Sequence, residues 1–259
     1  MYDLAALEAE LAGTIFAGKL HYACATGSTN ADAVAAARAG EPHGSVFLAD
    51  EQRAGRGRSD HGWFSKAGDG LYVSILLRPR IPIARLTFLP LIAGLACVEA
   101  IRSAADLNAD LRWPNDVLIG PRKAVGILVE SQGVGEKGFA VVGIGINVHQ
   151  REFPAELATM ATSLDIETGR AVSRQRLLVS LLQSLVREAL ALEDERKAKE
   201  ISQRVEKIST WMRGRAVEVH GPQTCVGITA GLDANGFLRV ETAQGVVTAR
   251  TGGIRESSR

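Results

Sequence analysis

The feature that most constrains this fold is a long polar interruption between two β-rich runs. The runs are GSVFLAD at 44–50 and LYVSILLRP at 71–79, and the segment between them, 51–70, contains five glycines. Glycine at this density disfavours helices and strands, so the pattern predicts a strand, a long loop and a second strand. Long structureless loops inside a compact domain are usually functional, which makes 51–70 the first candidate for a site.

Helices and further strands are predicted on both sides of this loop. STNADAVAAARAG at 28–40 has capping residues at its start and glycine at its end, which predicts a helix. Dense apolar residues over 85–105 predict a buried helix, and periodic leucines over 173–200 predict an amphipathic one, followed by a short helix over 200–211. Three β-branched segments predict consecutive antiparallel strands: ADLRWPNDVLI, KAVGILVES and KGFAVVGIGINV.

The order of these elements predicts an α+β fold, a mixed β-sheet flanked by helices. After Gly214 the chain consists of short β-rich segments separated by GPQ, DANG and AQG, which predicts a small β-barrel. A length of 259 residues fits one large domain with a small companion. We therefore predict a first domain over 1–211 and a second over 212–259.

Composition excludes several classes of protein. With 46% hydrophobic and 23% charged residues the chain is an ordinary globular protein, and its net charge of +1 argues against a dedicated nucleic-acid binder. Three widely spaced cysteines without metal-ligand spacing fit a reduced, cytoplasmic setting. The acidic N-terminus does not resemble a signal peptide, and polar residues interrupt the longest apolar stretch, Leu86 to Ile101, so no membrane span is expected.

Two arginines among glycines make the long loop a candidate anion site. In AGRGRSDHG, glycine lets the backbone approach a ligand, and Arg56 and Arg58 offer charge-assisted donors to phosphate or carboxylate. The chain has no GxxxxGK[ST] motif, and GIGINV at 143–148 lacks the third glycine of a dinucleotide fingerprint. On these residues alone, a solvated surface loop is the alternative.

A second polar cluster lies in RWPNDVLIGPRKAVGILVE at 112–130. A lone aspartate or lysine near a turn is usually a solvated charge. Paired strands, however, would bring Asp116 and Lys123 together. A lysine held over a pocket neutralises charge on a carboxylate and a phosphoryl group in the same reaction.

Taken in order, these segments resemble the biotin protein ligases, also called biotin–[acetyl-CoA-carboxylase] ligases. The resemblance rests on GSTN at 27–30, ADEQRAGRGR at 49–58 with Trp63, RWPNDV with KAVGILVE at 123–130, and GIGINV. It runs over about residues 20–210, a catalytic domain of the biotin/lipoate-ligase type, and the tail matches the family's C-terminal SH3-like barrel. Because only 27 residues precede the STN segment, we expect a monofunctional type without an N-terminal DNA-binding domain.

The resemblance implies a ligation in two steps. The carboxylate of biotin attacks the α-phosphorus of ATP to give biotinyl-5′-AMP and pyrophosphate, with Mg²⁺ carried by the ATP phosphates. A lysine of a biotin carboxyl carrier protein, part of a biotin-dependent carboxylase, then takes the biotinyl group. The expected protein is cytoplasmic, a monomer or homodimer, with no DNA or membrane partner.

The resemblance also implies roles for individual residues. Lys123, Arg56 and Arg58 would neutralise charge in catalysis, and Asp116 would assist or only position the acceptor lysine. The implied biotin-binding residues are Ser28, Thr29, Asn30, Gln52, Arg56, Gly57, Arg58, Lys123, Gly126, Leu128, Gly143 and Ile146. The implied nucleotide-binding residues are Arg58, Trp63, Asn115, Asp116 and Asn147.

Several of these roles have structural alternatives. Trp63 is expected as an apolar cover but would also suit core packing, Asn30 would suit a helix cap, and Asn147 a turn. Glycines at 126 and 143 are expected to leave room for the ligand.

Two other functions compete with biotin ligation. A lipoate or octanoate ligase or transferase would share the fold, and a sensor without catalysis would bind biotin or a nucleotide. Both Arg56 and Lys123 are present, which favours the enzyme.

Overall fold

The computed structural model describes residues 2–58, 61–133 and 138–257. The helices are α1 (Leu4–Leu11), α2 (Thr29–Arg38), α3 (Leu89–Ala105), α4 (Leu164–Thr168), α5 (Arg174–Glu193) and α6 (Glu195–Ile208), and a 3₁₀ helix (Ile83–Phe88) leads into α3. The strands are β1 (Leu20–Ala23), β2 (Val46–Ala49), β3 (Gly70–Leu77), β4 (Asp110–Arg112), β5 (Asp116–Ile119), β6 (Arg122–Gln132), β7 (Phe139–Asn147), β8 (Arg213–His220), β9 (Cys225–Leu232), β10 (Leu238–Thr242), β11 (Gly245–Ala249) and β12 (Gly253–Glu256).

A seven-stranded mixed sheet forms the larger part of the fold. Its strand order is β1-β2-β3-β7-β6-β5-β4, with β1 and β2 parallel and the other neighbours antiparallel. Helix α3 packs on one face of the sheet, with α5 against α3, while α2 packs on the other face against β3 and β7. The predicted α+β architecture, a mixed sheet flanked by helices, is confirmed.

Side-chain alternation along the central strands separates the two faces. On β3 and β7, Ile75, Ile144 and Ile146 belong to the main core, whereas Leu76 and Val141 belong to a smaller cluster under α2. Successive residues of a strand point to opposite faces. Ser74, Gly143 and Gly145 therefore share the face that α2 covers.

The apolar segment at 83–105 is a helix of the core. It is long and apolar enough to cross a membrane, with a mean hydropathy of 1.7, so the expectation from sequence that its composition excludes a span was wrong. In the fold 61% of its most apolar part is buried, and α3 packs against α5 and β6. Packing inside the protein accounts for its apolar composition.

The C-terminal part is an antiparallel sheet of five strands in the order β11-β10-β9-β8-β12. The predicted small β-domain is confirmed, but the ladders described leave β11 and β12 at opposite edges, so hydrogen bonds do not close a barrel. Residues 250–252 alone connect these two edges. In a flat sheet of five strands the edges would be about 19 Å apart, too far for so short a connection. The sheet is therefore strongly curved. It begins at Arg213, and 211/212 remains our proposed domain boundary.

Some predicted elements divide differently in the structure. The stretch predicted as one strand around WPND is two, β4 and β5, because the tryptophan, proline and asparagine form a turn between them. The predicted helix over 173–200 ends at Glu193, where Asp194 caps α6 by accepting from the backbone N–H groups of Arg196 and Lys197. The turn predicted within QGVGE falls mostly outside the described residues. Helices α1 and α4 and strands β1 and β12 were not predicted.

Candidate active site

A cavity opens where the start of α2, the glycine-rich loop, the turn before β5 and strands β6 and β7 meet. Its lining residues are Ser28, Thr29, Asn30, Gln52, Arg56, Gly57, Arg58, Trp63, Asn115, Lys123, Gly126, Ile127, Leu128, Gly143, Ile144 and Gly145. The segments that carried the family resemblance thus converge in space. Of the predicted site residues, Asp116, Ile146 and Asn147 are not part of this lining.

Asp116 lies between two cations at the edge of the cavity. Its Oδ1 atom is 2.5 Å from Lys123 Nζ, and its Oδ2 atom is 2.7 Å from a terminal nitrogen of Arg112. Burial alone would raise the pKa of Asp116, but Lys123 and Arg112 outweigh burial and leave the pKa below its ordinary value. A carboxylate held ionised in this way accepts a proton poorly. The geometry therefore favours Asp116 as the residue that positions Lys123.

The backbone and the side chain of Lys123 are both held. Its N–H donates to the carbonyl of Met160 at 2.8 Å, and its own carbonyl accepts from the N–H of Thr162 at 3.0 Å. Its ammonium also lies 5.4 Å from the centre of the Trp63 ring, within cation–π range. These contacts place a fixed positive charge at the cavity wall.

Trp63 packs against the part of the sheet where two strands carry glycine. A Cβ added at Gly126 would lie 2.7 Å from the Trp63 ring, and one added at Gly145 would lie 2.3 Å from Nε1. Gly126 and Gly145 are cross-strand partners, so they form one flat patch under the indole. The indole N–H is buried and has no hydrogen-bond partner among the residues described.

Gly143 provides the same kind of space for a different side chain. A Cβ there would lie within van der Waals overlap of Asn30 Oδ1, at 1.9 Å. Gly126 and Gly143 both line the cavity, and Trp63 and Asn30 occupy the space directly above them. Neither Trp63 nor Asn30 could pack so closely on a strand with larger side chains.

Ile146 was predicted to line the biotin pocket and lies on the opposite face. It is fully buried in the main core, next to Ile144 in the alternating pattern of β7. Strand alternation puts residues 143 and 145 toward the cavity, so 146 faces away. Leu128, the cross-strand partner of Gly143, does line the cavity.

The two loop arginines make different contacts. Arg56 lies 3.5 Å from Glu130 Oε1, and its side chain is about half exposed. Arg58 donates to Asn115 Oδ1 at 3.1 Å and to the carbonyl oxygen of Gly252 at 2.8 Å. Burial lowers the pKa of the Arg58 guanidinium below its usual value, while Asp116 opposes this shift.

The polar end of the cavity is built on the start of α2. Ser28 is the N-cap residue of α2, and its buried side chain makes no capping hydrogen bond. The Gln52 side-chain oxygen accepts from the N–H of Thr29 at 3.0 Å and lies 3.1 Å from the Thr29 hydroxyl. Hydroxyl and amide groups thus line this end, whereas Ile127 and Leu128 give the cavity its apolar wall.

Asn147 and Asn115 have their carboxamides engaged inside the protein. Asn147 donates to the carbonyl of Thr162 at 3.0 Å and accepts from Gln150 at 3.2 Å, which holds the segment after β7. Asn115 donates to the carbonyl of Ile127 at 2.7 Å. Asn115 lines the cavity and Asn147 does not.

Sequence reasoning missed three polar residues that support the site: Ser74, Arg112 and Glu130. Ser74 is the one serine in the buried strand β3, and Glu130 is an acid at the end of the apolar run GILV. A polar residue within an apolar strand was the available signal, because buried polar groups are nearly always hydrogen-bonded.

Comparisons with known proteins identify relatives of this chain. A family model described as the biotin/lipoate A/B protein ligase family matches residues 24–147. The bifunctional ligase/repressor BirA of Bacillus spizizenii is 35% identical over 225 residues, which cover 79% of this chain and 64% of BirA. The biotin–[acetyl-CoA-carboxylase] ligase of Mycobacterium tuberculosis is 33% identical over 235 residues, which cover 88% of this chain and 85% of that protein.

A solved structure is similar over nearly the whole chain. It is the biotin protein ligase from Aquifex aeolicus in complex with biotin and ATP, with a TM-score of 0.81 and 30% identity, and the match covers 93% of this chain and all of that one. The fold and the cavity are those of the biotin/lipoate A/B protein ligase class. The chain belongs to the biotin protein ligase family. It spans slightly less than two thirds of the Bacillus relative, 64% of its length.

Proposed function

We propose that this protein uses ATP to attach biotin to a specific lysine of a biotin carboxyl carrier protein, through biotinyl-5′-AMP. The observation that carries the proposal is Lys123, held by Asp116 at the wall of a cavity that Arg56 and Arg58 also line. A relative at 30% identity was solved with biotin and ATP bound, which supports the same pair of substrates here.

The first step joins two anions, so positive charge is the main requirement. A carboxylate oxygen of biotin would form a bond to the α-phosphorus of ATP as the bond to the β-phosphate oxygen breaks and pyrophosphate leaves. The fixed ammonium of Lys123 and the guanidinium of Arg58 would stabilise the charge that develops. The amine of the carrier lysine would then attack the acyl carbon, and AMP would leave.

The cavity has the chemistry that biotin needs. The neutral ureido ring would meet the polar end at Ser28, Thr29 and Gln52, with the backbone around Gly57. The thiophane ring and valeryl chain would pack on Leu128 and beside Trp63. Asn30 would belong to this site through its contacts with neighbouring side chains. The residues on the nucleotide side would be Arg58, Trp63, Asn115 and Asp116. Asn147 would support the segment that follows β7.

Mg²⁺ would enter with ATP. Among residues 2–58, 61–133 and 138–257, no group of three or more histidine, cysteine, aspartate or glutamate side chains is arranged to hold a metal ion. The cavity is lined instead by cations, which suit phosphate oxygens. Mg²⁺ coordinated to those oxygens would neutralise further charge during phosphoryl transfer.

The cellular location and the partner protein are part of the same proposal. The free thiols of Cys24, Cys97 and Cys225 support a reduced, cytoplasmic location. The partner would be the carrier domain that supplies the acceptor lysine, and a net charge of +1 argues against a dedicated nucleic-acid partner.

A direct assay tests the proposal. The full chain is incubated with Mg²⁺, ATP, biotin and a biotin carrier domain, and products are followed by streptavidin blot and pyrophosphate release. We expect both signals, with no labelling of a carrier whose acceptor lysine is replaced by arginine. Pyrophosphate release with lipoate or octanoate in preference to biotin would assign the acyl-ligase alternative. Biotin binding without pyrophosphate release would assign the sensor.

A further inference from the structure

Arg112 shares the carboxylate of Asp116 with Lys123 but lies outside the lining of the cavity. Asp116 Oδ2 accepts from a terminal nitrogen of Arg112 at 2.7 Å, while Asp116 Oδ1 lies 2.5 Å from Lys123 Nζ. Lys123 lines the cavity and Arg112 does not. Any effect of Arg112 on a ligand in the cavity would therefore be electrostatic or pass through Asp116.

The charges of these three side chains do not cancel. Asp116 is ionised, because the two cations keep its pKa below the ordinary value. If Lys123 were the only cation in contact with this carboxylate, the two opposite charges would largely cancel each other's field in the cavity. Arg112 adds a second positive charge, so the group of three stays positive. Lys123 is the member of the group that presents this charge to a ligand.

The position of Arg112 is set before any ligand binds. Arg112 and Asp116 are cross-strand partners on β4 and β5, which places the two side chains together. The guanidinium carbon of Arg112 lies 5.5 Å from the centre of the buried Trp211 ring. Just before Trp211, the Ser209 hydroxyl donates to the carbonyl oxygen of Leu111 on β4 at 2.5 Å. The connection to the C-terminal sheet therefore holds both the strand and the guanidinium of Arg112.

We propose that Arg112 is a positioning residue for adenylation: by sharing Asp116, it keeps the charge of Lys123 available to an anion in the cavity. Asp116 by itself would hold Lys123 and also neutralise it. With Arg112 present, one carboxylate oxygen holds the ammonium while the other meets a second cation. That the anion is the biotin carboxylate together with the α-phosphate of ATP rests on the proposed function.

The first test removes the charge of Arg112. Arg112→Met keeps an unbranched stem that packs on Trp211 and loses the positive charge. We expect single-turnover formation of biotinyl-5′-AMP, at saturating biotin and ATP with Mg²⁺, to fall about 10- to 100-fold. Arg112→Lys keeps a cation beside Asp116 and should recover most of the rate.

The double variant Arg112→Met with Asp116→Asn separates charge from structure. In Asp116→Asn alone, two cations compete for one neutral amide oxygen and repel each other, which displaces Lys123. In the double variant Lys123 has that oxygen to itself, and its charge is no longer neutralised. We therefore expect the double variant to form the adenylate at least about fivefold faster than either single variant. Two losses of structure would instead accumulate.

The matched control is a second ion pair between an arginine and a buried acid. Arg204 Nη2 lies 2.5 Å from Oε1 of the buried Glu188, and neither residue lines the cavity. Arg204→Met should leave the rate of adenylation near the wild-type value, and adding Glu188→Gln should not raise it. Thermal unfolding verifies that each variant is folded at the assay temperature.

Inorganic pyrophosphate is a second probe, because its binding depends on the charge of the cavity and requires no reaction. Calorimetry with the full chain measures its dissociation constant. We expect Arg112→Met to bind pyrophosphate about 10-fold more weakly than the wild-type protein. Arg112→Lys should bind it nearly as tightly as wild type, and the double variant should bind it more tightly than Arg112→Met.

The outcomes separate the two proposals. If the wild-type protein binds pyrophosphate but forms no adenylate, the proposed function fails, and the pyrophosphate series alone decides the role of Arg112. If Arg112→Met matches wild type in both measurements, or if the double variant gives no recovery in either, Arg112 serves the fold alone and the inference is overturned. A wild-type protein that binds no pyrophosphate would overturn it too, since the cavity would then present no available charge.

Discussion

The guanidinium of Arg58 donates to the carbonyl oxygen of Gly252 at 2.8 Å, which joins the glycine-rich loop to the turn before the last strand of the small sheet. The turn suits glycine alone, since Gly252 has a φ of +96° and an added Cβ would lie 2.1 Å from the carbonyl oxygen of His220. Because Arg58 also holds Asn115, one side chain connects the loop, the WPND turn and the C-terminal sheet.

Replacing Arg58 should therefore loosen the loop over a bound adenylate. We expect Arg58→Gln to speed the release of biotinyl-5′-AMP about 10- to 100-fold, in line with the 1.5–3 kcal/mol typical of charge-assisted hydrogen bonds. The dissociation rate of preformed adenylate measures this. Arg53→Gln is the control, as Arg53 lies on the same loop with its side chain 74% exposed. Equal release rates in Arg58→Gln and wild type would contradict loop closure through Arg58.

Lys123 is expected to be essential for adenylation. Lys123→Ala removes the ammonium beside the reacting carboxylate, so single-turnover formation of biotinyl-5′-AMP should fall by about 100-fold or more. The fold should survive, because Asp116 keeps its contact with Arg112 and the neighbours on β6 are apolar. Lys66→Ala, whose side chain is 70% exposed, should be unaffected. Wild-type adenylation by folded Lys123→Ala would remove this lysine from the mechanism.

Asp116 should contribute to stability in a pH-dependent way. Its pKa is lowered in the folded protein, so the stabilisation is complete above the unfolded value of about 3.9 and is lost as the pH falls through the folded value. Asp116→Asn should be less stable than wild type at pH 7, and the difference should shrink below about pH 4. Urea unfolding across this range measures it. A difference that stays constant down to pH 2 would mean that the ionised carboxylate is not what stabilises the fold.

The same substitution separates the two roles of Asp116 in catalysis. As a positioning residue, Asp116→Asn should slow adenylation by displacing Lys123, while transfer from isolated adenylate to the carrier keeps the shape of its pH profile. Loss of one limb of that profile would instead identify Asp116 as a base.

Gly145 should matter because of Trp63. A Cβ at this position would lie 2.3 Å from the indole Nε1, so Gly145→Ala must displace the ring and should weaken biotin binding several-fold. In a Trp63→Ala background the clash is absent, and Gly145→Ala should then have little effect, which a double-mutant cycle measures. At Gly27 an added Cβ meets nothing within 4 Å, so Gly27→Ala is the control. Additive effects of the two changes would show that Trp63 does not lie on Gly145 in solution.

Local patterns in the sequence were sufficient for much of the fold. Apolar periodicity and capping residues predicted α2, α3 and the strands around the glycine-rich loop, because these signals depend on residues close together in the chain. The WPND turn was read as part of one strand, since its flanks are β-branched on both sides. Strands β1 and β12 were missed because their sequences, LHYA and GIRE, contain few β-branched or aromatic residues.

The candidate site depended on the sequence and the tertiary structure in different ways. The order of the motifs along the chain identified the loop arginines, Lys123 and the residues around Thr29, since the charge and hydrogen-bonding groups of these residue types suit the proposed reaction. Pairing of the strands decided that Ile146 faces the core, that glycines at 126, 143 and 145 accommodate Trp63 and Asn30, and that Asp116 sits between Lys123 and Arg112. Contacts such as those of Ser74 with Asn30 and of Arg58 with Gly252 join residues 44 and 194 positions apart. The sequence by itself determined which chemical groups the protein brings to its cavity. Only the tertiary structure decided which of them meet, because long-range packing sets the distances between them.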